Sequence, residues 1–168
     1  MILLGLGANL PSSRFGPPRA TLEAALNALE AAGVRVVQRS RWYESAPQPP
    51  SGQPWYVNGV AQVETSLAPS ELLVLLHRIE ADLGRERGVA NAARTVDLDL
   101  LDYHGRVSRP GEVPVLPHPR LAERLFVLRP LAEIAPDWRH PASGEHAADL
   151  ARRLEDDPAQ VCRPLTGP

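Results

Sequence analysis

The feature that most constrains this chain is the order in which its hydrophobic period changes along residues 1–103. A period of two marks a strand; apolar residues at i, i+3, i+4 and i+7 mark a helix. Ile2 to Gly7 reads as a buried first strand. Pro17 and Pro18 then precede a helix with Leu22, Ala25, Leu26 and Leu29 as its apolar stripe and Gly33 as its stop. Val34 to Tyr43 reads as a second strand and Tyr56 to Thr65 as a third. In the third, Val57, Gly59, Ala61 and Val63 share one face, and Asn58, Val60, Gln62 and Glu64 share the other. Pro69 opens a second helix with a stripe of Leu72, Leu76, Ile79 and Leu83, ended by Gly84. Val96, Leu98 and Leu100 then alternate with Asp97, Asp99 and Leu101 in a fourth strand. This β-α-β-β-α-β order predicts an α+β domain of ferredoxin-like type. Both helices then lie on one face of an antiparallel sheet, and the other face needs cover or becomes a binding surface.

Beyond Tyr103 the pattern is less regular. Val113 to Leu116 reads as a short extended piece, Leu121 to Ile134 as mostly helical with an interruption at Pro130, and 145–155 as a last short helix. The tail from about residue 156 is expected to be loose. The 168 residues suffice for one domain with a real core, spanning 1–168. The net charge of −2 argues against broad nucleic-acid or membrane binding. No apolar run approaches the roughly 20 residues of a membrane helix, and the N-terminus lacks signal-peptide form. Cys162 is the only cysteine, which rules out an intramolecular disulfide and fits a cytoplasmic setting. A monomer acting on small molecules is expected.

All 18 basic residues are arginine. The absence of lysine excludes a P-loop site and Schiff-base chemistry. Gly5-Leu6-Gly7-Ala8-Asn9-Leu10 lacks the third glycine of a dinucleotide loop. Any phosphate must be held by arginine, histidine, backbone N–H or metal.

The acid pair Asp97 and Asp99 leaves one strand face with Cα atoms roughly 6.6 Å apart. It can hold one Mg²⁺ between the carboxylates, or two ions side by side. Two solvated acids would be the bland alternative, but acids are depleted from strand interiors and repel each other there. Arg85, Arg87 and Arg94, just upstream, offer planar bidentate donors for phosphate oxygens. His77 and Glu80 lie one turn apart opposite the Leu stripe, which suits an exposed polar face or a nucleotide contact better than zinc. Pro117-His118-Pro119-Arg120 is a stiff turn with a titratable tip, and Arg124 with Phe126 follows it. Trp42, Tyr43, Trp55, Tyr56 and Asn58 gather around the Pro-rich loop from Pro47 to Pro54. Core packing accounts for some of them; Tyr56 and Asn58, on one strand face, could also stack on and hydrogen-bond a flat heterocycle. Two other readings of the acid pair stay open here. One is the metal motif of a nucleotide-sugar glycosyltransferase, against which the short chain counts. The other is a non-catalytic ferredoxin-like ligand-binding domain.

From Leu4 to about Pro141 the chain resembles the 6-hydroxymethyl-7,8-dihydropterin pyrophosphokinase family of folate biosynthesis. The segments that carry the resemblance are Leu6-Gly7-Ala8-Asn9-Leu10, Tyr43-Glu44-Ser45-Ala46-Pro47, Gln53-Pro54-Trp55-Tyr56-Val57-Asn58 and Glu64-Thr65. Arg94-Thr95-Val96-Asp97-Leu98-Asp99-Leu100-Leu101 is the strongest. Pro117-His118-Pro119-Arg120-Leu121 and Arg124-Leu125-Phe126-Val127-Leu128-Arg129-Pro130-Leu131 complete the series. The resemblance implies a ferredoxin-like α+β fold and transfer of a pyrophosphoryl group from ATP, the co-substrate, to the pterin hydroxymethyl oxygen, releasing AMP. It implies two Mg²⁺ ions on Asp97 and Asp99, with Arg85 and Arg94 stabilising the transferring phosphates. His77, Glu80, Arg87, Arg94, Leu100, His118 and Arg124 fall at positions the family uses for ATP. Ser45, Ala46, Gln48, Tyr56, Asn58 and Phe126 match its pterin pocket, with Asn58 on the pterin edge and Tyr56 and Phe126 bracketing the ring. Where many members carry Arg-Trp-Gly-Pro-Arg before the acids, this chain has Asn91-Ala92-Ala93-Arg94, without the tryptophan. Val113 and Val115 replace a basic and a hydroxyl residue found in some members, and His77 replaces a more usual amide.

Overall fold

The computed structural model describes residues 1–47, 49–84 and 96–166. Gln48, Arg85, Arg87 and Arg94, along with the Asn91-Ala92-Ala93 departure, lie outside the described residues. The elements are β1 (Ile2–Ala8), α1 (Pro18–Ala31), β2 (Arg35–Arg39), β3 (Tyr43–Ser45), β4 (Tyr56–Glu64), α2 (Pro69–Asp82) and β5 (Asp97–Tyr103). A 3₁₀ turn (Leu121–Glu123), α3 (Leu125–Ile134), α4 (Ala147–Leu154) and β6 (Cys162–Pro164) follow. The sheet runs β5-β1-β4-β3-β6, with β2 also on β4, and every pairing is antiparallel. Without β6 this is the expected ferredoxin-like order.

The two helical stripes are where the periodicity put them. Leu22, Ala25, Leu26 and Leu29 of α1, and Leu72, Leu76 and Ile79 of α2, are buried against Ile2, Leu4, Leu6, Ala61, Val63, Leu98 and Leu100. Each of the Leu, Ile and Val side chains among these contributes about 1.5–3 kcal/mol by leaving water. Pro69 starts α2, and the Glu71 carboxylate accepts the Ala68 N–H at 2.9 Å, satisfying one of the donors a helix start leaves open. Gly33 and Gly84 end the two helices at φ of 86° and 94°, where a Cβ would be strained.

The single strand expected over Val34 to Tyr43 is two, β2 and β3, lying end to end along one edge of β4. The break has a local cause. Ser40 Oγ accepts the Val60 N–H at 3.0 Å and donates to the Arg41 carbonyl at 2.7 Å, so a side chain takes a ladder position there. Trp42 then swings into the helix-side core beneath Gly59.

The second face of the sheet does receive cover. Leu3, Tyr43, Val60 and Leu101 pack against Leu125, Leu128 and Leu131 of α3 and Leu150 of α4. The helix expected over Leu121 to Ile134 is a 3₁₀ turn followed by α3, which runs through Pro130 rather than stopping at it. Val113 to Leu116 forms no strand; Ser108 holds it by donating to the Pro114 carbonyl and accepting the Leu116 N–H.

The tail expected to be loose is docked. β6 extends the sheet beyond β3, Cys162 is buried, and the Leu165 N–H donates to the Trp42 carbonyl at 2.9 Å. A three-residue strand ending in proline has too little periodicity to announce itself.

Candidate active site

The cover on the second face is incomplete, and its gap is built by glycine. In β1 the residues facing α3 are Leu3, Gly5 and Gly7. Leu3 is core, whereas Gly5 and Gly7 present bare backbone. Cross-strand register sets Asp99 beside Gly5, and both Asp97 and Asn58 beside Gly7. With no side chains over β1, the sheet surface forms a trough. Its lining includes Gly5, Gly7, Ser45, Ala46, Tyr56 and Asn58 from the sheet side, Asp97 and Asp99 from β5, and Arg124, Phe126 and Val127 from the start of α3. The fit at its floor is close: a Cβ at Gly7 would lie 2.9 Å from Asn58 Oδ1.

One end of the trough is polar and flat-walled. The Asn58 side chain is buried, and its Nδ2 donates to Ser45 Oγ at 2.6 Å, which fixes both groups. Tyr56 lies on the same strand face, and Phe126 stands across from it on α3. Asn9 is also buried and pins the neighbouring loop, its Nδ2 donating to Gln53 Oε1 at 3.0 Å and to the Pro54 carbonyl at 3.1 Å. Of the aromatics grouped by sequence, Trp42 and Tyr43 are core, and Trp55 is exposed beneath the Arg163 guanidinium, 5.0 Å from its ring centroid. The Tyr43 hydroxyl donates to Glu133 at 2.6 Å; burial and that bond push its pKa up to about 12.

The other end carries charge. Arg124 Nη1 lies 3.9 Å from Asp99 Oδ2, and His118 Nε2 lies 4.0 Å from the same oxygen. The turn holds His118 through its own N–H to the Leu101 carbonyl (2.8 Å), and its Nδ1 accepts the Arg120 N–H at 3.2 Å. Nδ1 is therefore the unprotonated nitrogen, and the Nε2 proton faces Asp99. Burial, reinforced by the Arg124 and Arg120 charges and opposed by Asp97, lowers the ring's pKa to about 4. His118 is thus a neutral hydrogen-bond donor near pH 7.

Asp97 and Asp99 offer only carboxylate oxygen, a donor set for a hard cation such as Mg²⁺. Among the described residues no group of three or more His, Cys, Asp or Glu side chains could hold a metal ion. A cation here would take its remaining ligands from water or from a ligand's phosphates, the usual arrangement for Mg²⁺ at nucleotide sites.

His77 and Glu80 do not form one exposed polar face. His77 is exposed; Glu80 is buried, and its Oε2 accepts the Leu98 N–H at 2.8 Å. Among the described residues β5 is the outer strand of the sheet and no strand pairs with its outer edge, where Glu80 serves the N–H between the two acids. Leu100 is likewise core, packed on the helix side, which leaves its backbone rather than its side chain for any ligand contact. Val113 and Val115 are exposed. Gly5, Gly7 and Val127 line the trough and Asn9 braces the loop beside it, roles that their hydrophobic pattern does not indicate.

Such a site, with paired acids, an arginine and a neutral histidine at one end and a flat amide-edged slot at the other, has the form of a phosphotransferase that also binds a heterocycle. The family model for 7,8-dihydro-6-hydroxymethylpterin-pyrophosphokinase matches residues 3–136, and the chain belongs to that family. It is 44% identical over 162 residues to the 2-amino-4-hydroxy-6-hydroxymethyldihydropteridine pyrophosphokinase of Methylorubrum extorquens, covering 95% of this chain and 96% of that protein. The Pseudomonas aeruginosa protein of the same name is 41% identical over 150 residues, covering 89% and 88%. The folic acid synthesis protein fol1 of Pneumocystis carinii is 36% identical over 92% of this chain, which spans only 20% of that longer protein. Among solved structures, a Plasmodium falciparum HPPK-DHPS superposes with a TM-score of 0.70 at 15% identity, over 91% of this chain and 44% of that one, a likeness of fold.

Proposed function

We propose that the trough over Gly5 and Gly7 is where this chain carries out the reaction of its family: transfer of a pyrophosphoryl group from ATP to the hydroxymethyl oxygen of 6-hydroxymethyl-7,8-dihydropterin, giving AMP and the pterin diphosphate for folate synthesis. The observation that carries the assignment is the register of β1 and β5, which sets two carboxylates beside a floor without side chains and within reach of Arg124 and His118. The slot between Tyr56 and Phe126 takes the pterin ring, and the fixed Asn58 and Ser45 groups hydrogen-bond its edge. Ala46 and Gln48 belong to the same subsite by family position. Arg124 and the Nε2–H of His118 neutralise and orient phosphate oxygens. Arg85, Arg87 and Arg94 serve the phosphates by family position, as His77 does the nucleoside.

Asp97 and Asp99 would hold Mg²⁺, two ions in this reading, which when bound offset phosphate charge and lower the pKa of a coordinated hydroxyl. The protein's own part is alignment. The pterin oxygen and the β-phosphorus must meet in line, so a rigid sheet floor under one substrate and a fixed helix start beside the other are what the reaction needs.

The test is a product assay with ATP, Mg²⁺ and the pterin. AMP should form only when the pterin is present; ADP as product, or AMP release indifferent to the pterin, would overturn the reading. Asp99→Ala should abolish turnover without unfolding the chain, because its side chain faces the trough rather than the core. Near-normal activity in that variant would remove the metal assignment.

A further inference from the structure

α3 begins at an unusual residue. The position before a helix usually carries Ser, Thr, Asp or Asn, whose side-chain oxygen accepts one of the open N–H groups. Here that position is Arg124, which has no acceptor and whose side chain makes no capping bond. The acceptor comes instead from far along the chain. Gln160 Oε1 accepts the Leu125 N–H at 3.1 Å, and Gln160 Nε2 donates to the Glu123 carbonyl at 2.8 Å. One amide thus grips the backbone on both sides of Arg124.

Gln160 is itself fixed. A turn after α4 presents it, with the Gln160 N–H on the Asp157 carbonyl (2.9 Å) and the Ala159 N–H on Asp157 Oδ1 (2.9 Å). Just beyond it, Arg129 of α3 donates to the Cys162 carbonyl, and the Ala46 N–H donates to the Val161 carbonyl at 3.2 Å. The C-terminal segment therefore reaches both walls of the trough. It lies beyond residues 3–136, the part that carries the family match.

We infer that Gln160 is a positioning residue: it supplies the α3 cap that Arg124 has no acceptor to make, and by holding the backbone at residues 123 and 125 it directs the Arg124 guanidinium to the phosphate end of the site and sets Phe126 at the ring end. The inference rests on the proposed function, in which Arg124 contacts the nucleotide. Its geometric basis is the pair of bonds from one side chain to residues 123 and 125. Arg124 itself adopts an extended backbone (φ −122°, ψ 107°), so its direction depends on how its two neighbours are held.

The experiment uses the full chain and compares Gln160→Leu, Gln160→Glu, Arg124→Ala and the double variant Gln160→Leu/Arg124→Ala. The readouts are ATP affinity without the pterin, steady-state KM and kcat for both substrates, and Tm. Gln160→Leu removes both bonds, and ATP affinity should fall ~5- to 10-fold, the scale of one or two hydrogen bonds. Gln160→Glu keeps the acceptor for Leu125 N–H and should fall between the wild type and Gln160→Leu; it also keeps the test valid if Gln160→Leu folds poorly. In the Arg124→Ala background the effect of Gln160→Leu on ATP should disappear, because the group being positioned is gone. A lowered Tm with unchanged ATP affinity would make Gln160 merely structural and overturn the inference, as would effects of Gln160→Leu and Arg124→Ala that multiply independently. If Arg124→Ala alone leaves ATP affinity intact, the nucleotide role of Arg124 fails first and the inference falls with it.

Discussion

Gly7→Ala adds a single methyl group to the floor of the trough, and its effect can be worked out from the contacts there. The new Cβ would stand 2.9 Å from Asn58 Oδ1, where ordinary contact needs about 3.5 Å. The Gly7 backbone is an ordinary strand conformation, so the cost is one of space, not of dihedral angle. Asn58 must retreat by about 0.6 Å to restore contact. It is buried and tied to Ser45 by a 2.6 Å bond, so it can retreat only by stretching that bond or tilting its amide. Overpacking of this kind costs about 1–3 kcal/mol, and the smaller entropy of an unfolded chain carrying Ala returns about 0.4–1 kcal/mol. Net stability should fall by about 1 kcal/mol. The larger consequence is for binding. If Asn58 reads the pterin edge as proposed, a misdirected amide would lose that bond, and about 1.4 kcal/mol is tenfold in Kd. Calorimetry should show pterin affinity weakened ~10-fold with ATP affinity little changed. Gly5→Ala is the control at the charged end, because the nearest atoms its Cβ would meet belong to the Leu101 side chain, at 3.4 to 3.6 Å, ordinary contacts. A Gly7→Ala variant that binds the pterin normally would refute the claim that the fixed Asn58 amide reads the ring.

His118 in the metal-free protein should titrate near pH 4 rather than 6.5, because burial and Arg124 oppose its charge. NMR of the ring protons checks this, and a value at or above 6.5 would contradict the packing described. The unfolded chain takes up a proton near pH 6.5 that the folded chain refuses until about 4, so His118 favours the folded state above 6.5, and this contribution is lost as pH falls through that window. At Gly59 an added Cβ would lie 2.7 Å from two carbons of the buried Trp42 ring, whose Nε1 is bonded to Glu23. Gly59→Ala should cost about 1–3 kcal/mol in urea unfolding, and an unchanged midpoint would show that Trp42 can move freely.

Helices α1 and α2, the face assignments along β4 and the acid pair on β5 were legible in the sequence, because each is written in a period that its own residues carry. The features that were not legible depend on a partner distant in sequence. Glu80 reads as polar helix surface, yet it is buried because the outer strand needs an acceptor for Leu98 N–H. Val34 to Tyr43 reads as one strand because the Ser40 hydroxyl, which replaces a ladder bond, leaves no mark in the hydrophobic pattern. The docked tail depends on Trp42, Glu44 and Glu123, none of which is near it in the chain. Gly5 and Gly7 read only as strand residues and an incomplete dinucleotide loop, because a hydrophobic pattern is written in side chains and these two act by having none.

Arg124 and Phe126 are separated by a single residue at the start of one helix. If one serves the phosphates and the other the ring, the two subsites share a common carriage. A shift of α3 that tightens the grip on one substrate also displaces the wall against the other. Changes of substrate preference at one subsite would then surface as altered affinity at the other, and selection for a different acceptor would have to act on the sheet side, at Tyr56, Asn58 and Ser45, where the wall can vary without moving the arginine.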